Sequence, residues 1–410
     1  MEAEFTPYSL QARDPDFLLA SQISDKYSIK PYPLQLADVS LLVQTKSSTY
    51  DVFSVDNQNL GVFKDAIISP FELSQRYPEL TYERLDPAAF RRFVWDFVAT
   101  YPPDTSGGAG GNSSASVSLL PLDMPVMVQF YRKDIYDSLG LVPPNTWNEY
   151  FDDVKMMTGK STPYGAVSQA GPDISIIYEF LCHLSSFGAN LWEVDAGKLV
   201  PVMNSSNAVA ALENFVRFEP YSDPASFTYS WPDVFASLAH GVAANGLLWH
   251  EYSNWINDSL RSQVVGSVGY KRIPTGPAGS YSTFGGAGVG VSRYSNNPEA
   301  AWLWLQWATA KGTQETMLLD RYHVFPSRVS PLQAPEIQDV FGTSSYASAS
   351  LAKQIWDEGA VTALIGFPKW YQALDALSSH LNQAWRGSET PQAALNAAQQ
   401  RIVNLGNLTF

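Results

Sequence analysis

Apolar residues along this chain fall into two kinds of run, short extended ones and longer ones with helical spacing. Tyr50–Asn57, YDVFSVDN, is an apolar run rich in Val and Phe that ends at Asp56, and a helix-like stretch follows it. The spacing therefore predicts a buried strand ending at an Asp-Asn pair. Residues 117–134, VSLLPLDMPVMVQFYRKD, are extended again but broken by Pro121, Asp123 and Pro125. Prolines inside such a run predict a strand that leaves one sheet and enters another. Ile135 and Leu139 lie one helical turn apart, which predicts a short helix over Asp134–Leu141 loosened by Gly140. Pro143 and Pro144 stop it. Thr146 and Glu149 then have the spacing of a capping box, so a second helix starts at once.

Similar punctuation recurs to the end of the chain. A helix capped near Ser205 is followed by one running to His240, a turn at Gly241 and an apolar strand ending at Trp249. Residues 268–292 read as strand, Pro/Gly loop, strand. Asn297-Pro298-Glu299 predicts a helix start with a side-chain cap, a proline in first position and an acid in the first turn. Ala301, Trp304, Leu305 and Ala308 would form its buried face. Thr390-Pro391 repeats the device before a last helix, while Asp16–Lys26 and the YSIKPYPLQL after it read as helix and strand. Pro102–Ser116 is a Gly/Ser-rich surface loop. Helices alternate with short strands and no internal repeat stands out, so the fold class is α/β.

Composition narrows this reading. At 410 residues the chain exceeds one typical core, so two domains are expected. No apolar run approaches the roughly 18 residues that would span a bilayer. Twenty-six Lys and Arg against 40 Asp and Glu leave a net charge of −14, which argues against nucleic acid and anionic membrane as partners. The one cysteine, Cys182, excludes an intramolecular disulfide and reads as a buried small hydrophobe. Twelve Trp, 21 Tyr and 21 Phe suit a protein that offers aromatic faces to a ligand. Met1–Leu10 carries neither a basic nor an apolar signal region, as in a cytosolic protein or one whose signal was removed and a start Met added.

Candidate chemistry is sparse. In open α/β sheets ligands bind beyond the carboxyl ends of strands, which is where Asp56 and Asn57 fall, and Asp56 reads equally as a turn cap there. Paired carboxylates beside aromatics would also suit a glycoside hydrolase, but no motif separates an acid from a nucleophile. His183, His240, His250, His323 and His380 show no metal spacing, and no G-x-S-x-G occurs. The G-x-G-x-G of Gly286–Gly290 has no helix directly behind it, so a dinucleotide site is not expected, and no cofactor or metal is.

The order of motifs resembles the extracellular solute-binding proteins of ABC importers, in particular the sugar-binding family that includes the maltose- and trehalose/maltose-binding proteins. The resemblance rests on Tyr50–Asn57, Leu120–Tyr150, Ala243–Trp255, Gly285–Glu315, Phe325–Pro331 and Gly387–Ile402, which span nearly the whole chain in the family's order. It implies two α/β lobes closing on a ligand, lobe one being about 1–122 plus 283–328 and lobe two 123–282 plus 329–410. It implies a carbohydrate ligand such as a di- or oligosaccharide or a sugar derivative, an ABC permease as partner, a monomer, and a periplasmic or extracellular, membrane-anchored location. Carried over one at a time, the family's ligand positions fall on Asp56, Asn57, Asp123, Asp173, Trp249, Gly286, Arg328 and Trp370. Trp249 is then a stacking platform, Asp123 a hydroxyl acceptor, and Arg328 a ligand or hinge residue. The family's usual aromatic after the paired glycines is Ala287 here.

Overall fold

The computed structural model describes residues 39–82, 85–103, 116–195, 197–319, 324–406 and 408–410. The predicted helix Asp16–Lys26, the strand after it and most of the Gly/Ser loop lie outside the described residues. Eight strands build two sheets: β1 Val52–Asp56, β2 Ile67–Ile68, β3 Leu120–Pro121, β4 Met127–Arg132, β5 Tyr164–Val167, β6 Ala243–Trp249, β7 Val268–Lys271 and β8 Ala287–Ser292. The first sheet has the order β1-β8-β2 with β3 also on β8, and the second the order β7-β4-β6-β5. In the first, β1 runs antiparallel to β8 with Asp56 opposite Ala287. In the second, β6 is antiparallel to β4 and parallel to β5.

The proline-broken run changes sheets as its pattern predicts. Leu122 N–H donates to Ala287 O at 3.0 Å in the first sheet, and Val126 N–H reaches His250 Nδ1 at 3.3 Å in the second. A second crossing runs beside it, with Gly285 N–H donating to Pro125 O at 3.1 Å. A third passes close by, where Met124 N–H donates to Phe325 O at 3.2 Å. Three crossings side by side make the two sheets the centres of two lobes.

Helices cover both sheets: α1 Lys133–Leu139, α2 Trp147–Met157, α3 Ile174–Ser186, α4 Ser206–Val216, α5 Trp231–Ala239, α6 Pro298–Ala308, α7 Ala347–Asp357, α8 Trp370–Trp385 and α9 Pro391–Asn404. Gly140 ends α1 with a left-handed φ of 65°. The capping box of α2 is complete: Glu149 N–H donates to Thr146 Oγ1 at 3.2 Å, and Thr146 N–H to Glu149 Oε2 at 3.0 Å. Ser205 and Thr390 cap α4 and α9 as their spacing predicts.

One cap departs from expectation. The Asn297 side chain makes no capping bond to α6, and its amide reaches Asp51 Oδ1 at 3.4 Å. The proline and the acid of the first turn suffice to start this helix. Ala301, Trp304, Leu305 and Ala308 are buried, and so is Trp302, which the one-face reading omits. Cys182 is fully buried on α3, its thiol 3.2 Å from Thr283 Oγ1.

Candidate functional site

The site begins where β1 ends. Phe53 and Val55 point into the core of lobe one, and the alternation leaves Asp56 half-buried at the strand's carboxyl end. The chain then turns tightly through Asn57–Asn59. Gln58 donates from Nε2 to Asp56 Oδ2 at 3.2 Å and to the Tyr178 hydroxyl at 2.8 Å. Tyr178 sits one turn into α3, in the other lobe. Asn57 also crosses, its amide donating to Leu364 O at 2.7 Å, while its buried Oδ1 makes no hydrogen bond. Burial holds the Tyr178 phenol well above its ordinary range, and the charge of Asp56 adds to the effect. Tyr371 is pushed up to about 12 by burial, which a hydrogen bond with Ser40 partly offsets and to which the charge of Asp56 adds. The Asp56 carboxylate therefore acts on phenols that lobe two presents from α3 and α8.

Aromatic rings wall this contact. Trp249 ends β6 and meets Tyr178 edge-on, with centroids 5.1 Å apart at 81°. Trp231 of α5 lies 6.4 Å from the same tyrosine. Trp249 is only 8% exposed, because its six-membered ring fills the space above Gly285, where a Cβ would lie 2.7 Å from Cη2. At Gly286 the space for a side chain is taken by the Phe284 ring, so that glycine is explained by packing within the crossing. Asn57 N–H donates to Gly286 O at 3.1 Å, joining the turn to the crossing.

The remaining candidates are held by other groups. Asp123 is 2% exposed, and its Oδ1 accepts from Ala287 N–H at 3.1 Å. Arg328 lies in lobe one, where Nε donates to Thr309 O and the guanidinium sits 4.9 Å from the Phe90 ring centre. Trp370 is 1% exposed at the start of α8, edge-on to Phe367 at 6.1 Å, and its buried indole N–H makes no hydrogen bond. Asp173 caps α3 by accepting from Ser175 N–H at 2.7 Å, and burial raises its pKa. Thus Asp56, Asn57, Asp123, Trp249 and Gly286 gather where the lobes meet. Trp370 lies behind that line, Arg328 within lobe one, and Asp173 a turn before Tyr178.

Two members of the gathering escape sequence reading. Gln58 directly follows the Asp-Asn pair and is marked only by that position. Tyr178 lies within IIYEFLCHL, which reads as core throughout, and it is indeed 3% exposed. Its neighbour Glu179 is a buried acid whose Oε2 accepts from Gln169 N–H at 2.7 Å, holding the loop that leaves β5. Burial pushes Glu179 up to about 8, so it is mostly protonated at neutral pH. Among the described residues no cluster has the make-up of a metal site, and no helix is long and apolar enough to cross a membrane.

Comparison with known proteins fits this geometry. Residues 35–315 match the bacterial extracellular solute-binding protein family. A probable amino-acid ABC transporter periplasmic-binding protein of Sinorhizobium fredii is 24% identical over 231 residues, 55% of this chain and 51% of that protein. The erythritol/L-threitol-binding protein of Mycolicibacterium smegmatis is 25% identical over 241 residues, 58% of this chain and 49% of that protein. The chain thus spans about half the length of the curated relatives it matches. In three dimensions it is similar to an ABC transporter solute-binding protein of Agrobacterium radiobacter K84 in complex with ribitol. The TM-score is 0.80 at 21% identity, covering 97% of this chain and 96% of the other. With the two-lobe fold and a family match over well more than half its length, the chain belongs to the bacterial extracellular solute-binding proteins, a family of transport binding proteins and not of enzymes.

Proposed function

We propose that this protein captures a polyhydroxylated solute, a sugar or a polyol, between its lobes and delivers it to an ABC importer permease. The observation that carries the reading is the row Asp56–Gln58–Tyr178, in which carboxylate, amide and phenol from two lobes lie in one hydrogen-bonded line. Such groups accept and donate to hydroxyls, and the charged acceptor forms the stronger bonds. The indoles of Trp249 and Trp231 beside them suit the C–H faces of the same ligand. The erythritol, threitol and ribitol named for the relatives are compounds of this class.

Ligand contact is assigned to Asp56, whose carboxylate is oriented by the buried Gln58 and Tyr178, with Trp249 as the wall. Asn57, Asp123, Gly286, Arg328 and Trp370 hold the lobes and crossings, and Asp173 caps α3. The lobes divide as 1–122 plus 283–328 and 123–282 plus 329–410. The protein acts as a monomer outside the cytoplasm, anchored at the membrane, and without turnover. A hydrolase would need two water-accessible carboxylates flanking a bond. Asp123, 2% exposed and bonded to Ala287 N–H, does not supply the second.

A thermal-shift screen over erythritol, ribitol, mono- and oligosaccharides and amino acids tests the reading, because a ligand bound only by the folded form raises the midpoint. A sugar or polyol should raise it. A rise with amino acids alone would overturn the ligand class, and turnover of a bound glycan would overturn the binding-only role.

A further inference from the structure

Two glycines face the backbone of the opposite lobe where Asn57 and Gln58 cross. Gly366 precedes α8 in lobe two. A Cβ built on it would lie 2.5 Å from the carbonyl oxygen of Gln58 and 2.9 Å from that of Asn57, both in lobe one. Gly61, in the turn after β1, points the other way. Its Cβ would lie 2.8 Å from Phe367 Cα in lobe two and 2.9 Å from the Tyr101 ring in its own lobe. Neither glycine is among those with a positive φ, so the local backbone would accept alanine at both positions. What excludes a side chain is main chain from across the seam, which cannot swing aside as a side chain end can.

We infer that Gly61 and Gly366 are positioning residues for closure. By omitting a side chain on each face, they let the turn 57–61 and the segment 364–367 seat directly on one another. This inference rests on the closing-cleft reading above. The two polar links depend on the same approach: Asn57 to Leu364 O at 2.7 Å and Gln58 to the Tyr178 hydroxyl at 2.8 Å. Restoring ordinary van der Waals separation for a Cβ at Gly366 moves the faces apart by roughly 1 Å. That displacement takes both hydrogen bonds out of range. The glycines thus act on the ligand through the geometry of Asp56, Gln58 and Tyr178, without touching it.

The test compares Gly366→Ala and Gly61→Ala with the wild type and with Gly312→Ala, a helical position with open space around its Cβ. Thermal melting, small-angle scattering, amide hydrogen exchange and titration with erythritol and ribitol are measured on the full chain. Both seam variants should melt close to the wild type. They should also bind about tenfold to a hundredfold more weakly, at up to about tenfold for each of the two lost hydrogen bonds. They should show less ligand-induced compaction and faster exchange over 57–63 and 364–367, while Gly312→Ala matches the wild type in every readout. A Gly366→Ala protein with wild-type exchange in both segments overturns the inference. So does one that fails to fold, since its glycine would then serve lobe two alone. If the wild type binds neither polyol, the ligand reading fails, and the exchange and scattering data decide the seam by themselves.

Discussion

Asp56 and Asp123 look interchangeable in sequence, each an acid at the end of a short apolar run and beside a cleft. The fold separates them. Asp56 is half-buried, bonded to a side chain, and its charge reaches two phenols of the other lobe. Asp123 is 2% exposed, and its carboxylate closes the crossing by taking the N–H of Ala287. At the end of β1 the carboxylate stays half-buried beside a turn whose amides are buried, whereas the crossing closes its own backbone with Asp123. Trp249 belongs with the crossing, since its ring is packed against Gly285. The difference teaches that an acid at the end of an apolar run is drawn into the fold where a neighbouring backbone N–H needs an acceptor.

The comparison can be broken by substitution, and the largest effect falls on the crossing side. Trp249→Ala should cost about 3–5 kcal/mol of stability in urea unfolding, as for other large-to-small core changes. A near-wild-type midpoint with lost binding would return Trp249 to the role of a free stacking platform. Asp123→Ala comes next, at about 1.5–3 kcal/mol, the range for a hydrogen bond to a charged group. Asp56→Ala should cost less stability, about 0.5–1.5 kcal/mol, for the hydrogen bond from Gln58. It should instead weaken ligand binding by about 1.5–3 kcal/mol in calorimetry. Equal stability losses for the two alanines would erase the distinction.

Tyr178→Phe sharpens the comparison from the far side of the seam. It removes the Gln58 acceptor and should lower ligand affinity by about 0.5–1.5 kcal/mol, with the lobes intact by circular dichroism. A pH dependence tests the same helix without any ligand. Burial raises Glu179 from 4.5 to about 8, so its stabilising contribution is complete below 4.5. The contribution is lost as pH rises through about 8, because over this window the folded state holds a proton that the unfolded state releases. Melting temperature should therefore fall between pH 5 and 8 more steeply in the wild type than in Glu179→Gln, whose amide oxygen still accepts from Gln169 N–H. Parallel curves would show that Glu179 is already ionised in the folded protein.

Much of the fold was legible because its signals act over a few residues. The Thr146–Glu149 box, the stop at Gly140, the strand ending at Asp56 and the sheet change at Pro121–Pro125 all follow from local spacing. At Asn297 the same reasoning overreached. The helix start was right and the side-chain cap was not, because the amide found Asp51 across the lobe. The candidate site was legible only in part. Asp56 and Trp249 are marked by their strand ends, while nothing in the sequence shows that the space beside Gly286 is filled by Phe284.

By itself the sequence determined several strand and helix ends, which acids fall at strand ends, and that the chain is acidic and rich in aromatics. Those properties depend on φ/ψ preferences, caps and periods of two or 3.6 residues, whose partners lie within a turn or two. Only the tertiary structure decided that Gln58 meets Tyr178, 120 residues away, and that Asn57 meets Leu364, 307 residues away. It also decided that Gly366 lies against lobe one. Contacts between lobes leave no period in the chain: an amide, a phenol and a glycine look the same locally whether they face water, their own core or the other lobe. Their roles arise when the three crossings bring two separately patterned sheets together.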